Sequence, residues 1–211
     1  MIRYQLAMLG HSQRWLPPSF AFAVLLSILY TDPDAPIVPE LAVSAGGLTV
    51  AACWLTVALV DAEDPVQRLI TRVHARRFST LLGGVVASVL LCCAALTVIS
   101  LVWSALRRDG DPAGLVGLGA VAHLAGACTG VAIGLPCSRL LIPRIGYTVL
   151  AAPAILVAVL LVRWIPLLNP MLRAMSSGAP STGPVLLGAV TSVAVLAVSA
   201  LAVAALFQHR R

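Results

Sequence analysis

Residues 81–106 read LLGGVVASVLLCCAALTVISLVWSAL. These 26 residues contain no charge, no proline and no alternation of polar with apolar positions. A helix crossing ~30 Å of hydrocarbon needs about 20 such residues, so this stretch predicts a membrane helix long enough to tilt or project. Working outward, charged residues punctuate five further apolar stretches, giving runs at about 16–30, 41–60, 81–106, 113–135, 146–164 and 185–207. The first is marginal in length. It gains from Trp15 and Thr31, since Pro17 and Pro18 are tolerated in a first helical turn. The expectation is one all-α integral membrane domain over residues 1–211, with six transmembrane helices, an N-terminal amphipathic helix and a short cytoplasmic helix between spans two and three.

The composition agrees. Of 211 residues, 60% are hydrophobic and 10% charged, and the mean hydropathy is +0.98. Soluble domains carry about 25% charged residues, so a soluble enzyme is excluded. The net charge is +6 and all 14 basic residues are arginine. Without lysine there is neither Schiff-base chemistry nor a phosphate-loop lysine. In a membrane chain the positive balance points to cytoplasmic loops and not to nucleic acid. Cys53, Cys92, Cys93, Cys128 and Cys137 all lie in or beside apolar runs. They read as small buried hydrophobes and not as a disulfide framework or metal site. Residues 1–30 read as retained, because no A-x-A-like cleavage site follows Tyr30.

Arginine placement sets an orientation. With both termini inside, the inner segments hold Arg3, Arg14, Arg68, Arg72, Arg76, Arg77, Arg139, Arg144, Arg210 and Arg211, and the outer ones Arg107, Arg108, Arg163 and Arg173, ten against four. The loop 31–40 carries Asp32, Asp34 and Glu40 and faces out. Trp15, Tyr30, Trp103, Tyr147, Trp164 and Phe207 fall near the expected interfaces as an aromatic belt.

Four segments carry further information. In residues 1–14, Ile2, Leu6 and Leu9 recur at helical spacing between Arg3, Gln5 and Gln13. That suits an amphipathic helix in the inner interface or an extension of the first span. In residues 61–80, Asp64 and Pro65 start a helix and Gln67 completes a capping-box-like pair. Val66, Leu69, Ile70 and Val73 then form an apolar face, and Arg68, Arg72 and Arg76 a basic one. Such a helix rests on anionic lipid or docks on a cytoplasmic partner. Gly126, Gly130 and Gly134 follow Ala122 in steps of four, a small-residue face for tight packing within the chain or at a subunit interface. Residues 163–184, interrupted by Pro166 and Pro170, fit two short helices dipping into the outer interface, or an ordered loop.

The spans as drawn hold no Asp or Glu, so no intramembrane carboxylate drives an ion-coupled carrier. His123 is the one ionisable residue well inside a span, as a packing histidine or a proton relay. His11, His74 and His209 are scattered and give neither a zinc set nor a haem pair. There is no G-x-S-x-G elbow and no hydrolase triad. The shape is that of a translocator whose energy comes from elsewhere.

The layout resembles the membrane permease subunit of type-2 ATP-binding-cassette exporters, in the short actinobacterial form. The likeness rests on residues 1–14, on Ser12-Gln13-Arg14-Trp15-Leu16-Pro17-Pro18 leading into the first span, and on the basic helix at 65–78. It extends to the glycine-rich fourth span ending Gly134-Leu135-Pro136-Cys137-Ser138-Arg139, and to the broken outer segment before span six. The resemblance implies a plasma-membrane permease that is not itself an enzyme. It would pair with a second copy or a homologous permease, contact membrane lipid and use a separate ATPase subunit that binds ATP and magnesium. In that family the loop between spans two and three is a coupling helix, here Val66, Leu69, Ile70, Arg72, Val73 and Arg76, and the segment before span six forms outer re-entrant helices. Its cargoes range over drugs, lipids, polysaccharides and peptides. Two other classes stay open: a small secondary exporter or substrate-binding membrane subunit, and a non-transporting scaffold or immunity protein.

Overall fold

The computed structural model describes residues 1–32, 34–63, 78–107, 113–142, 144–162, 167–177 and 182–209. These residues are helical with short connections, and no strand occurs among them. The helices are α1 (Ile2–Ser12), α2 (Leu16–Leu29), α3 (Ile37–Ala62), α4 (Phe78–Leu106), α5 (Ala113–Cys137), α6 (Ile145–Leu161), α7 (Asn169–Ser176) and α8 (Thr182–His209).

Four are long and apolar enough to cross a membrane: α3, α4, α5 and α8. Two apolar helices are shorter. At 1.5 Å per residue, the 14 residues of α2 span about 21 Å and the 17 of α6 about 25 Å. For α2 the limits are local. Pro17 and Pro18 fix its first turn, and the chain leaves helical geometry at Tyr30. At the other end of the scale, α3 starts earlier than the hydropathy run suggests. Pro36 precedes it and Pro39 occupies its first turn, where a proline lacks no needed amide.

That earlier start corrects the reading of Glu40. It belongs to the first turn of α3 and not to an outer loop, and it is buried. A carboxylate there benefits from the unpaired amides of the helix start. Glu40 and Asp61 lie just outside the run 41–60 but inside α3, so that helix carries an acid near each end.

The middle of the bundle is the α3–α5 pair, each 67% buried across its apolar window, against 28% for α4 and 17% for α8. Here α5 brings Gly126, Gly130 and Gly134 against α3. A Cβ on Gly126 would lie 2.6 Å from the Ala45 carbonyl oxygen, and one on Gly134 would lie 2.8 Å from that of Cys53. A Cβ on Gly130 would collide with the Thr49 carbonyl oxygen. The facing stripe on α3 is Ala45, Thr49, Ala52 and Thr56, whose own threonine hydroxyls bond back to the Ala45 and Ala52 carbonyls. Backbone therefore meets backbone, the close approach that small residues allow. The glycine stripe is spent on packing within the chain.

On its other flank α5 meets α8. The Thr129 hydroxyl donates to Ser192 Oγ at 3.0 Å, and Ser199 donates to the Ala132 carbonyl at 2.7 Å. The outward face of α8 carries Leu187, Val190, Val198 and Leu201, each at least 61% exposed. An apolar exposed face over a core of Ala, Gly, Ser and Thr suits a hydrocarbon surrounding, where polar side chains serve as interhelical contacts.

The amphipathic N-terminal helix packs on α3 and α4. Its buried residues are Gln5 and Leu9, whereas Ile2 is exposed. The expected stripe of Ile2, Leu6 and Leu9 is thus rotated by about one position. At the opposite end of the bundle, where two short helices or an ordered loop were expected, the described residues include one short helix, α7; 163–166 and 178–181 lie outside the described residues. Leu168, Met171 and Met175 are buried against α3 and α8, and Asn169 Nδ2 donates to the Leu160 carbonyl of α6 at 2.5 Å.

Candidate functional site

Two features stand out, and they adjoin. The first is an apolar cleft between α2 and α4. On α2, Trp15, Ser19, Phe22 and Leu26 recur at helical spacing and face it; on α4, Cys92, Ala95, Leu96 and Ile99 do the same. Leu55 of α3 forms the floor, and Leu9 and Gly10 of α1 close one end. The volume is about 440 Å³, within the range of small-ligand pockets. Ala23 and Ala95 keep it open, because both line it with a single methyl group. Its lining is almost wholly apolar, so its chemistry is that of an acyl chain or another hydrocarbon moiety.

The second feature is a chain of buried polar side chains one turn beyond the cleft. Tyr30 ends α2, and its hydroxyl lies 3.1 Å from Ser100 Oγ on α4 and 3.4 Å from Ser44 Oγ on α3. Ser44 Oγ lies 3.1 Å from His123 Nε2 on α5. His123 Nδ1 lies 2.7 Å from the Gly119 carbonyl oxygen. A carbonyl only accepts, so Nδ1 donates to it, and in the Nδ1–H tautomer Nε2 accepts. Ser100 then donates to Tyr30, Tyr30 to Ser44, Ser44 to His123 and His123 to Gly119, with each proton used once. Ser44 Oγ also lies 3.1 Å from the Leu41 carbonyl, its alternative acceptor. All four side chains are at most 3% exposed. The chain ties four helices together, and its Tyr30–Ser100 bond bridges α2 to α4 one turn beyond the cleft.

Tyr30 was expected in an aromatic belt and is instead a buried hydrogen-bonding group. Its partners Ser44 and Ser100 carried no sequence signal, since a lone serine in an apolar helix usually bonds its own backbone. His123 is fully buried with both ring nitrogens partnered. Trp15 and Tyr147 are 39% and 60% exposed; Trp164 and the side chain of Phe207 lie outside the described residues. The five cysteines are free thiols, four of them buried and Cys92 half-buried at the cleft.

A further cluster, this one charged, sits where α1 meets the ends of α3 and α5. Arg14 donates to the Asp61 carbonyl at 2.8 Å. The Asp61 carboxylate lies 3.8 Å from Arg139 Nε and accepts the Arg139 amide at 3.4 Å. Beside it Gln5 is 1% exposed, and neither of its side-chain polar atoms has a partner among the described residues. It lines a cavity of about 10 Å³ shared with Glu63, the room one water needs. Val66, Leu69, Ile70, Arg72, Val73 and Arg76, the residues expected to form a coupling helix, lie outside the described residues. Among the described residues no group of three His, Cys, Asp or Glu side chains is placed to hold a metal ion.

No family model matches this chain, and no curated protein or solved structure proved similar to it.

Proposed function

We propose that the chain is the permease subunit of an ATP-driven exporter of the plasma membrane, moving an amphiphilic cargo with a separate ATPase subunit and a second permease. The observation that supports it most is α7, a short helix folded back into the bundle between the ends of α3, α6 and α8 just before the last long helix. A re-entrant segment of that kind, opposite an N-terminal helix tucked under α3 and α4, is the layout that the sequence resemblance implies. In this reading α2 and α6 also cross the bilayer, making six spans, with local thinning or flanking polar residues accommodating their shortness.

Both termini then face the cytoplasm. In a background with the native cysteines replaced, Ser177→Cys is expected to label from outside only and Gln208→Cys from inside only. Labelling of both from one side would overturn the six-span arrangement. The purified chain alone is expected neither to bind nor to hydrolyse ATP, because a phosphate loop needs a lysine that the sequence lacks. Turnover by the isolated chain, proportional to its amount across separate preparations, would refute this.

A secondary exporter is the second reading, and Glu40 favours it. That carboxylate is buried within α3, and buried ionisable groups in membrane helices often mark ion pathways. Transport that stops with a protonophore while ATP is maintained would select this reading over the first.

A further inference from the structure

We propose that the α2–α4 cleft seats one acyl chain of an anionic glycerophospholipid, with its headgroup on the cationic turn between α1 and α2. This inference rests on the membrane setting of the apolar helices and not on the exporter reading.

The dimensions fit one leaflet. From Trp15 to Leu26 the cleft follows eleven residues of α2, roughly 16 Å at 1.5 Å per residue. Half of a ~30 Å hydrocarbon layer is about the same depth. The Tyr30–Ser100 hydrogen bond lies one helical turn beyond Leu26. An acyl chain entering sideways between α2 and α4 therefore meets apolar walls along its length, with a polar bridge beyond its methyl end.

The mouth supplies the complementary charge. His11 and Arg14 flank the turn between α1 and α2, and residues 1–31 contain no Asp or Glu. His11 and Arg14 are both exposed. Arg14 donates to the Asp61 carbonyl, and the Asp61 carboxylate lies against Arg139. Basic groups at the headgroup level attract anionic lipid. Trp15 lines the mouth and is exposed on one side, as an interfacial ring should be. The turn itself is sharp: Gln13 adopts a left-handed conformation, φ 54°, which swings α2 away from α1 and leaves Gly10 at the rim.

The test uses the full chain in mild detergent, titrated with dioleoyl phosphatidylglycerol or dioleoyl phosphatidylcholine and read by native mass spectrometry. The expected result is a first lipid adduct that prefers phosphatidylglycerol. Ala23→Trp and Ala95→Trp fill the cleft and should weaken that adduct roughly tenfold or more, since the chain's buried methylenes supply its affinity. Arg14→Gln should reduce the preference between the two lipids. Val198→Trp, on the exposed face of α8, should change neither. Should the cleft variants fail to fold, phosphatidylglycerol carrying a diazirine on its acyl chain decides with the unaltered protein. Crosslinks should concentrate on Phe22, Leu26, Ala95 and Ile99. Even labelling of α6 and α8, an adduct indifferent to headgroup, or an unchanged adduct in folded Ala95→Trp each overturns the proposal. So does conversion of a dimer to monomer by Ala95→Trp without loss of lipid, because a second copy then covers the cleft. Exporter activity enters none of these readouts, so the lipid site and the transport reading stand or fall separately.

Discussion

Gly130→Val is expected to abolish the native bundle. A Cβ at Gly130 already collides with the Thr49 carbonyl oxygen and lies 2.7 Å from Ala52 Cβ and 3.0 Å from the Cys53 amide nitrogen. Two of these atoms are backbone of α3 and cannot rotate away, so α3 and α5 must separate. Separation also loosens the contacts at Gly126 and Gly134, which share the interface. Overpacking a core costs about 1–3 kcal/mol, and a displaced helix pair belongs at or above the upper end. Total stability is only about 5–15 kcal/mol for a typical domain. The measurement is the thermal midpoint and monodisperse recovery in mild detergent. Gly117→Ala is the internal comparison: nothing lies within 4 Å of its Cβ position, and the helix gains up to about 1 kcal/mol of propensity. A Gly130→Val chain with the midpoint of the unaltered protein would refute the α3–α5 packing.

The second large effect belongs to His123→Ala. The substitution leaves a void at a fully buried position and deprives Ser44 and the Gly119 carbonyl of a partner. Truncating a large buried side chain costs about 2–5 kcal/mol, and each stranded buried polar group adds about 1–3 kcal/mol. Partial relief comes from Ser44, which can turn its proton to the Leu41 carbonyl at 3.1 Å. Tyr30→Phe should be milder, at about 1–2 kcal/mol, because the rest of the ring still packs. Tyr30→Phe and Ser100→Ala should be non-additive in a double-mutant cycle, with a coupling of about 0.5–1.5 kcal/mol. Additive effects would mean that the Tyr30–Ser100 bridge contributes nothing to holding α2 against α4.

The long helices were legible because hydropathy over twenty residues outweighs local detail, and α4 is nearly pure signal. Half of the α3–α5 seam was legible too, in the spacing of Gly126, Gly130 and Gly134. Its other half was not. Ala, Ser and Thr occur all round α3, so nothing in the sequence singles out Ala45, Thr49, Ala52 and Thr56 as the facing stripe. The cleft and the polar chain beyond it were illegible for a related reason. Whether a serine meets a neighbour or its own helix depends on rotation about the helix axis, which packing decides. Thr31 and Ser27 bond their own backbone, whereas Tyr30 and Ser100 bond each other. Glu40 was misplaced because Pro36 and Pro39 look like loop residues, although both suit a helix start. Gln5 shows the same limit at α1, where a polar residue on the expected outer face is the most buried of the helix.

The central claim, that this chain is energised by an ATPase partner, is tested most directly by affinity purification from its own membranes in mild detergent. The account predicts a nucleotide-binding ATPase in stoichiometric amount with the tagged chain. It further predicts that Ile70→Asp or Val73→Asp removes that partner and uncouples transport while abundance in the membrane is unchanged. Each apolar side chain buried in the partner's cleft is worth about 1.5–3 kcal/mol, whereas Arg72→Ala should be mild, about 0–1 kcal/mol for an exposed charge. Recovery of the chain with no ATPase, or full retention of the ATPase by both aspartate variants, would contradict it.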